Sequence, residues 1–331
     1  MRRLSIATQE WETNLSQLLS SYRIYAPIKN GSGCDYQEIS SNIIPDIVYN
    51  EPRPVTPLKN FFLPVRENVT GRASTDNPYL IIGAPNCDVE ALHFLDQIYL
   101  DKSFPDEVYR TRRQNTTILC TDCLDINKNC HCTTYGIEPR GNMKSDLSLI
   151  RMNGEVILTV YTDKGEKILS GMNINGAPEP GKEVLEVLER KSGEVAGKLA
   201  DQNAALPDYQ LTGKLVSQAG RKVWEHYAAD CVSCGACSAI CPTCSCFLLV
   251  DRPGFEKIRQ LDTCQYPGFE RVAGGEDPLK DLAERFRNRY MCKYVWKPEL
   301  YQERACTGCG RCIDCCIGQI NKNDLLASLN H

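Results

Sequence analysis

Two copies of one cysteine pattern constrain this chain more than any other feature of its sequence. Each copy has the spacing Cys-x2-Cys-x2-Cys-x3-Cys, and a glycine follows the second cysteine of each, where a tight turn favours a residue without a β-carbon. In ferredoxin-type domains this spacing holds 4Fe-4S clusters, and the fourth cysteine of one motif ligates the other cluster. The first copy comprises Cys231, Cys234, Cys237 and Cys241, and the second comprises Cys306, Cys309, Cys312 and Cys316.

The crossed pattern gives two predicted ligand sets. Two alternatives exist: structural zinc, which prefers two CxxC pairs for each ion, and a group of buried free thiols. The second copy departs from the usual pattern, because Ile317 stands where a proline is common and Cys315 adjoins the fourth cysteine as a competing ligand. The spacing favours Cys316 over Cys315 as the fourth ligand. The predicted sets are Cys231, Cys234, Cys237 and Cys316 for one cluster, and Cys306, Cys309, Cys312 and Cys241 for the other.

The cysteines are unevenly distributed along the chain. Of 19 cysteines in 331 residues, six fall in residues 1–205 and thirteen in residues 206–331. Such a shift in composition predicts a domain boundary, so we expect an α/β domain over 1–205 and a dicluster ferredoxin-type domain over 206–331. Seven cysteines have no assigned role: Cys34, Cys120, Cys244, Cys246, Cys264, Cys292 and Cys315. Cys34 stands alone and is most simply structural, whereas for Cys244, Cys246, Cys264 and Cys292 buried thiols, further ligands and groups that tune a cluster are all open.

Composition and charge exclude several classes of protein. A net charge of −4 argues against a nucleic-acid binder, which normally carries a basic domain. No apolar run approaches the ~20 residues that span a bilayer, and the first residues lack the apolar segment of a secretory signal. We therefore expect a cytoplasmic protein, in which disulfides account poorly for the cysteines.

The secondary-structure pattern predicts an α+β chain: a mixed α/β N-terminal domain, then a mostly helical domain that carries a ferredoxin-like module with two 4Fe-4S clusters. Apolar runs predict strands over 23–28, 79–83 and 116–120. Residues 147–170 predict two or three strands, with hairpin turns at Asn153-Gly154 and Lys164-Gly165. Helical spacing predicts helices over 8–20, 88–100 (capped by Asp88), 181–200 and 211–228.

A second group of cysteines follows the predicted strands of the N-terminal half. Cys87 comes at a helix N-terminus, and Cys120, Cys123, Cys130 and Cys132 follow the next strand. Neighbouring strand ends meet at one edge of a parallel sheet, so this group could converge. A third 4Fe-4S cluster, a zinc site and unmetallated thiols are the alternatives.

Other motifs are few. Neither a P-loop nor a GxGxxG sequence after a strand is present, so the sequence does not predict nucleotide binding. The basic, partly aromatic segment 284–290 is consistent with a group of charges that offsets anionic clusters, with a docking surface, or with an ordinary exposed helix face. His131 lies between two cysteines, where a solvated side chain is the simplest expectation.

Taken together, these motifs resemble a known family. The resemblance is to the iron–sulfur β subunit of cytoplasmic sulfhydrogenases, which are NAD(P)-linked nickel–iron hydrogenases, and to the related iron–sulfur subunit of anaerobic sulfite reductases. It covers nearly the whole chain and is carried by the segments CVSCGACSAICPTCSC, LDTCQYPGF, RFRNRYMC, CTGCGRC, RIYAPIK, FFLPVRE, APNCDVEALHFLDQIYLD and CLDINKNCHC.

The resemblance implies an electron relay inside a multi-subunit complex. The partners would be an FAD-containing, NAD(P)H-binding flavoprotein and a catalytic oxidoreductase subunit, most simply of the hydrogenase type, with no catalytic residue in this chain. Sulfite reductase and heterodisulfide-reductase-linked complexes are alternatives. The resemblance also implies a third cluster, held by Cys87, Cys123, Cys130 and Cys132, with Cys120 as an extra thiol.

Two further hypotheses belong to other classes. The chain could reduce a small sulfur substrate at its own cluster, with CPTCSC and Cys264 forming an unusual site, or it could be a zinc-stabilised interaction module. Iron and acid-labile sulfide analysis separates the zinc hypothesis from the other two. Activity of the isolated chain with reduced viologen separates the remaining pair.

Overall fold

The computed structural model describes residues 2–70 and 77–330. Ten strands occur in these ranges and form two sheets. They are β1 (Arg2–Ala7), β2 (Arg23–Asn30), β3 (Gly33–Glu38), β4 (Arg66–Asn68), β5 (Tyr79–Pro85), β6 (Thr116–Thr121), β7 (Leu147–Met152), β8 (Glu155–Val160), β9 (Phe247–Arg252) and β10 (Glu256–Leu261).

The larger sheet has seven strands in the order β1-β8-β7-β6-β5-β2-β3. Its four central strands, β2, β5, β6 and β7, run parallel, and the outer strands pair antiparallel. Pro85 at the end of β5 pairs with Thr121 at the end of β6. Cys87 and Cys123 each lie two residues beyond these partners, so both leave the sheet at the same edge.

Helices cover the sheet and outnumber strands in the C-terminal half. The chain also has 3-10 turns at Ser16–Ser20 and Leu58–Phe61 and a π-helical turn at Cys292–Trp296. The α-helices are α1 (Thr8–Leu15), α2 (Asn86–Tyr99), α3 (Glu107–Gln114), α4 (Asp163–Gly171), α5 (Lys182–Gln202), α6 (Tyr209–Gln218), α7 (Arg221–Ala228), α8 (Ala236–Ala239), α9 (Leu282–Met291), α10 (Lys297–Tyr301), α11 (Arg311–Asp314) and α12 (Lys322–Ser328).

The alternation of side chains along the central strands produces two cores. Leu80 and Ile82 of β5 pack on one face with helices α1 and α4, whereas Ile81 packs on the other face with α2 and α3. Because every residue from Leu80 to Pro85 is buried, this strand is covered on both faces, as parallel strands normally are. The result is a three-layer arrangement whose open edge carries the cysteines.

A third core joins the two halves of the chain. It combines Tyr135 and Leu199 from the N-terminal half with Trp224, Phe286 and Tyr290 from the C-terminal half. The small sheet also joins the halves, because its order is β4-β10-β9 and β4 precedes residue 205. The domain boundary at 205 stays a prediction.

The α+β class is confirmed, and three local predictions are wrong. Lys164 and Gly165 lie in helix α4, where the Thr162 hydroxyl accepts a hydrogen bond from the Gly165 amide. Asp88 does not cap its helix, which begins at Asn86. The predicted helix 211–228 is interrupted between α6 and α7. In the described parts of the chain we find no helix with both the length and the apolar character needed to cross a membrane.

Candidate iron–sulfur sites

Cysteines of both motifs line one cavity. Cys231, Cys234 and Cys237 of the first motif lie there with Cys312 and Cys316 of the second. The cavity therefore contains the predicted crossed ligand set and one further cysteine, Cys312, which the spacing assigns to the other cluster. Cys315 does not line this cavity; it lines a separate cleft. The placement supports Cys316 as the fourth ligand, as the spacing favours.

The remaining cysteine of the first motif lies beside the second motif. The Lys293 Nζ atom donates to Cys241 Sγ over 3.1 Å and to the carbonyl oxygen of Ala305 over 2.8 Å. The Thr243 hydroxyl also donates to Ala305, over 2.7 Å. Ala305 directly precedes Cys306, so these bonds hold Cys241 next to the second motif.

Two glycines form the turns that the spacing requires. Gly235 and Gly310 have φ values of 71° and 77°, in the left-handed region that a β-carbon disfavours. Each begins a short helix, α8 or α11, that carries the third cysteine of its motif. The two motifs therefore have the same local structure, as predicted from their matching sequences.

Buried cations surround the cysteine motifs. Six lysine and arginine residues near these cysteines are at most 9% exposed, which is unusual for charged side chains. Lys293 forms no salt bridge within the described residues, and its acceptors are Cys241, Thr243 and Ala305. The six are Arg53, Lys59, Arg289, Lys293, Arg311 and Lys322.

This positive charge fits a cluster held by thiolates. Burying an uncompensated charge is costly, and a cluster with four thiolate ligands is anionic. Arg289 donates to the carbonyl oxygen of Cys237 over 3.2 Å, and Lys59 donates to that of Cys244 over 2.9 Å. The donor sets and their surroundings therefore fit the predicted groups. The segment 284–290 contributes Arg289 to this shell, so it is not simply an exposed face.

Ionisation of the thiols follows from the same charges. The hydrogen bond from Cys244 and the charge of Lys293 lower the pKa of Cys241 well below its usual value, against the effect of burial. Burial opposes the ionisation of Cys306, but the Lys322 charge and a hydrogen bond from His131 outweigh it and lower its pKa. Metal ligation requires the thiolate form, which both effects favour.

The N-terminal cysteines lie next to the second motif. Cys132 and Cys306 belong to one buried cluster, and the partly buried Cys87 and Cys130 pack against it. Cys123 lies close enough to both Cys130 and Cys132 for their charges to affect its ionisation. Burial raises the pKa of Cys87 and Cys123, and that of Cys132 to about 12. Four neighbouring, largely buried cysteines also fit a metal cluster, whose positive metal ions would stabilise the thiolates.

Cys120 lies apart from this group. It is fully buried in the core beneath helices α2 and α3, among residues such as Ile118 and Ala84. Its position agrees with its treatment as an extra thiol.

Backbone and ionic contacts fix the N-terminal site against the second motif. The amide of His131 donates to the carbonyl oxygen of Gly308 over 2.8 Å. Arg311, inside the second motif, forms a fully buried ion pair with Asp88, the residue after Cys87. The first motif and the N-terminal cysteines therefore both adjoin the second motif.

Sequence reasoning missed most of this supporting shell. The expectation that His131 is solvated is wrong: it is fully buried, and its ring lies 2.8 Å from Lys322 Nζ and 2.8 Å from the carbonyl oxygen of Asn129. Lys293 and Arg311 gave no motif signal, although both lie close to cysteines in the sequence.

Across the residues that the structure describes, no three His, Cys, Asp or Glu side chains are grouped to hold a single metal ion.

Comparison with known proteins bears on the paired motifs. Residues 230–320 match the 4Fe-4S dicluster domain. That range includes all eight cysteines of the two motifs, and it supports two 4Fe-4S clusters in this chain.

A curated relative extends the comparison to the whole chain. The sequence is 27% identical over 335 residues to sulfhydrogenase 2 subunit beta of Pyrococcus furiosus. The alignment covers 97% of this chain and 96% of the relative. The resemblance to the sulfhydrogenase β subunit, predicted from the motifs, is confirmed.

Proposed function

We propose that this chain is an iron–sulfur electron-transfer subunit of a multi-subunit cytoplasmic oxidoreductase, relaying electrons between an FAD- and NAD(P)H-binding flavoprotein and a catalytic subunit of the nickel–iron hydrogenase type. The observation that carries the proposal is that the second motif lies beside both Cys241 of the first motif and the N-terminal cysteine segment. Similarity to a sulfhydrogenase β subunit over nearly the full length supports the type of complex.

The residues of the chain have separate tasks in this proposal. The bound 4Fe-4S clusters supply reversible one-electron chemistry. The twelve ligating cysteines are the two crossed sets and the N-terminal set of Cys87, Cys123, Cys130 and Cys132. The buried cations stabilise negative charge as it is added, and the apolar side chains around the cysteines exclude water.

Metal and sulfide analysis tests the cluster content. We expect about twelve iron and twelve sulfide per anaerobically purified chain if all three sites hold 4Fe-4S clusters. About eight of each would contradict the third cluster alone, whereas zinc without sulfide would contradict the relay. Mass spectrometry of the complex purified through this subunit then tests the partners, and the absence of a flavoprotein and a hydrogenase-type subunit would contradict that part.

The neighbouring cysteines at positions 315 and 316 provide a matched test of the crossed ligands. Cys316→Ser should alter the electron paramagnetic resonance signal of the first-motif cluster, because Cys316 lines that cavity. Cys315→Ser should leave the signal unchanged, since Cys315 lines the other cleft. If only Cys315→Ser alters the first-motif signal, the ligand assignment is wrong.

A further inference from the structure

Three of the cysteines without an assigned role gather beside the first motif. Cys244 and Cys246 follow the motif, and Cys264 follows the β9–β10 hairpin. Leu261 pairs with Phe247, and the Asp262 amide donates to the carbonyl oxygen of Cys246 over 2.9 Å. Cys264 comes two residues later, and the thiols of Cys246 and Cys264 form a side-chain hydrogen bond.

This thiol pair is held against the first-motif site. Gln265 lines the cavity of that site, and its Nε2 atom lies 3.7 Å from Cys264 Sγ. A β-carbon at Gly235 would lie 2.3 Å from Thr263 Cγ2, so the two segments are in close contact.

The pair is also open to solvent on one side. A cleft of about 400 Å³ is lined by Lys59, Cys244, Cys246, Thr263 and other residues. Cys246 is half-buried on the cleft wall, whereas Cys264 lies behind it and is 7% exposed. Cys246 therefore faces the cleft, whereas Cys264 is buried next to Gln265, which lines the first-motif cavity.

We propose that Cys246 and Cys264 form a redox-active pair that cycles between two thiols and one disulfide, exchanging electrons with the neighbouring iron–sulfur sites. This inference rests on the proposed function, which supplies those sites. On oxidation the S–H bond of Cys246 breaks and one S–S bond forms with the thiolate sulfur of Cys264. One proton leaves from Cys246 through the cleft, and two electrons pass to the oxidised clusters, one to each of the two motifs. Reduction is the reverse.

The unequal environments of the two thiols support this chemistry. The hydrogen bond from Cys246 lowers the pKa of Cys264 to about 6, against the effect of burial. The same hydrogen bond and burial raise the pKa of Cys246. A thiolate beside a protonated thiol is the arrangement found in dithiols that form and break disulfides readily.

Differential alkylation at controlled potentials tests the proposal on the full-length, anaerobically purified chain. Protein poised at a series of potentials is quenched with acid and unfolded, so that the buried Cys264 reacts as readily as Cys246. It is then alkylated, reduced, alkylated with a second label and analysed by peptide mass spectrometry. As the potential rises, we expect Cys246 and Cys264 to become protected from the first alkylating label together and reversibly. The disulfide-to-dithiol ratio should change tenfold per about 30 mV. Cys292 is the internal control and should stay reactive at every potential.

Variants separate redox chemistry from metal ligation. Cys246→Ser should leave Cys264 reactive at all potentials and leave the iron content equal to that of the Cys292→Ser control. Protection of neither thiol in the wild type would overturn the proposal, and so would loss of iron or zinc in Cys246→Ser. A wild-type chain without iron would contradict the proposed relay. A chain with its full iron content in which Cys246 and Cys264 never form a disulfide would contradict this inference alone.

Discussion

At the scale of single residues, the chemistry of the sites depends on charges as much as on cysteines. The cysteines could be assigned from spacing, because a short loop brings three thiolates together whatever surrounds them. Lys293 could not be assigned in this way. It lies more than fifty residues from Cys241, and only the packing of the π-helical turn against the first motif brings the two together.

Replacing Lys293 tests its electrostatic role. Lys293→Met should lower the midpoint potential of the second-motif cluster by on the order of 60–130 mV, since a charge-assisted hydrogen bond contributes about 1.5–3 kcal/mol and 1.4 kcal/mol corresponds to ~59 mV for one electron. The potential falls because the reduced, more negative state loses a nearby cation. A redox titration followed by electron paramagnetic resonance measures the shift.

Lys297→Met is the matched control for this substitution. Lys297 lies one helical turn later and donates to the carbonyl oxygen of Thr243 over 2.9 Å, with no hydrogen bond to a motif thiol in the described structure. We expect a clearly smaller shift. Equal shifts for both variants would show that the contact with Cys241 is not what sets the potential.

At the scale of elements, the loops of the second motif depend on glycines that are packed against another segment. Gly308 has a φ of 66°, and a β-carbon there would lie 2.4 Å from the carbonyl oxygen of His131. The sequence predicts the turn at Gly310 from its position in the motif. It does not predict the contact of Gly308 with the N-terminal cysteine segment, which is far away in sequence.

Gly308→Ala should therefore weaken the attachment of the second motif to the N-terminal site. The left-handed backbone alone costs an alanine about 1 kcal/mol, and the clash with His131 adds to this. We expect a lower iron content and a lower urea midpoint for loss of visible absorption by the clusters. Gly274→Ala is the control, because no atom lies within 4 Å of a β-carbon at that position; equal losses in both variants would contradict the argument.

At the scale of the whole molecule, one buried ion pair connects the two cysteine-bearing regions. Arg311 and Asp88 are 223 residues apart in sequence, and Arg311 Nη2 lies 2.9 Å from Asp88 Oδ2. Sequence patterns predict Asp88 as a helix cap, a common role for aspartate near the start of a helix. In the tertiary structure the Asp88 carboxylate instead forms an ion pair with Arg311, because the second motif packs against the start of helix α2.

Removing one partner of this pair should be strongly destabilising. Asp88→Asn leaves the Arg311 charge buried and without its ion-pair partner, which costs about 3–5 kcal/mol. We expect a markedly lower urea midpoint for loss of cluster absorption. Asp125→Asn removes an exposed pair with Lys198 and should cost less than about 1 kcal/mol; a comparable effect there would show that burial of the pair is unimportant.

The sequence by itself determined the α+β class, the two cysteine motifs and the turns within them. These features are local: strand alternation and loop spacing involve residues that are near one another in the chain. Only the tertiary structure placed Cys241 beside Lys293, Asp88 beside Arg311 and Cys246 beside Cys264. Such pairs depend on how distant segments pack, because burial makes each charge or thiol take whichever partner the fold brings within reach.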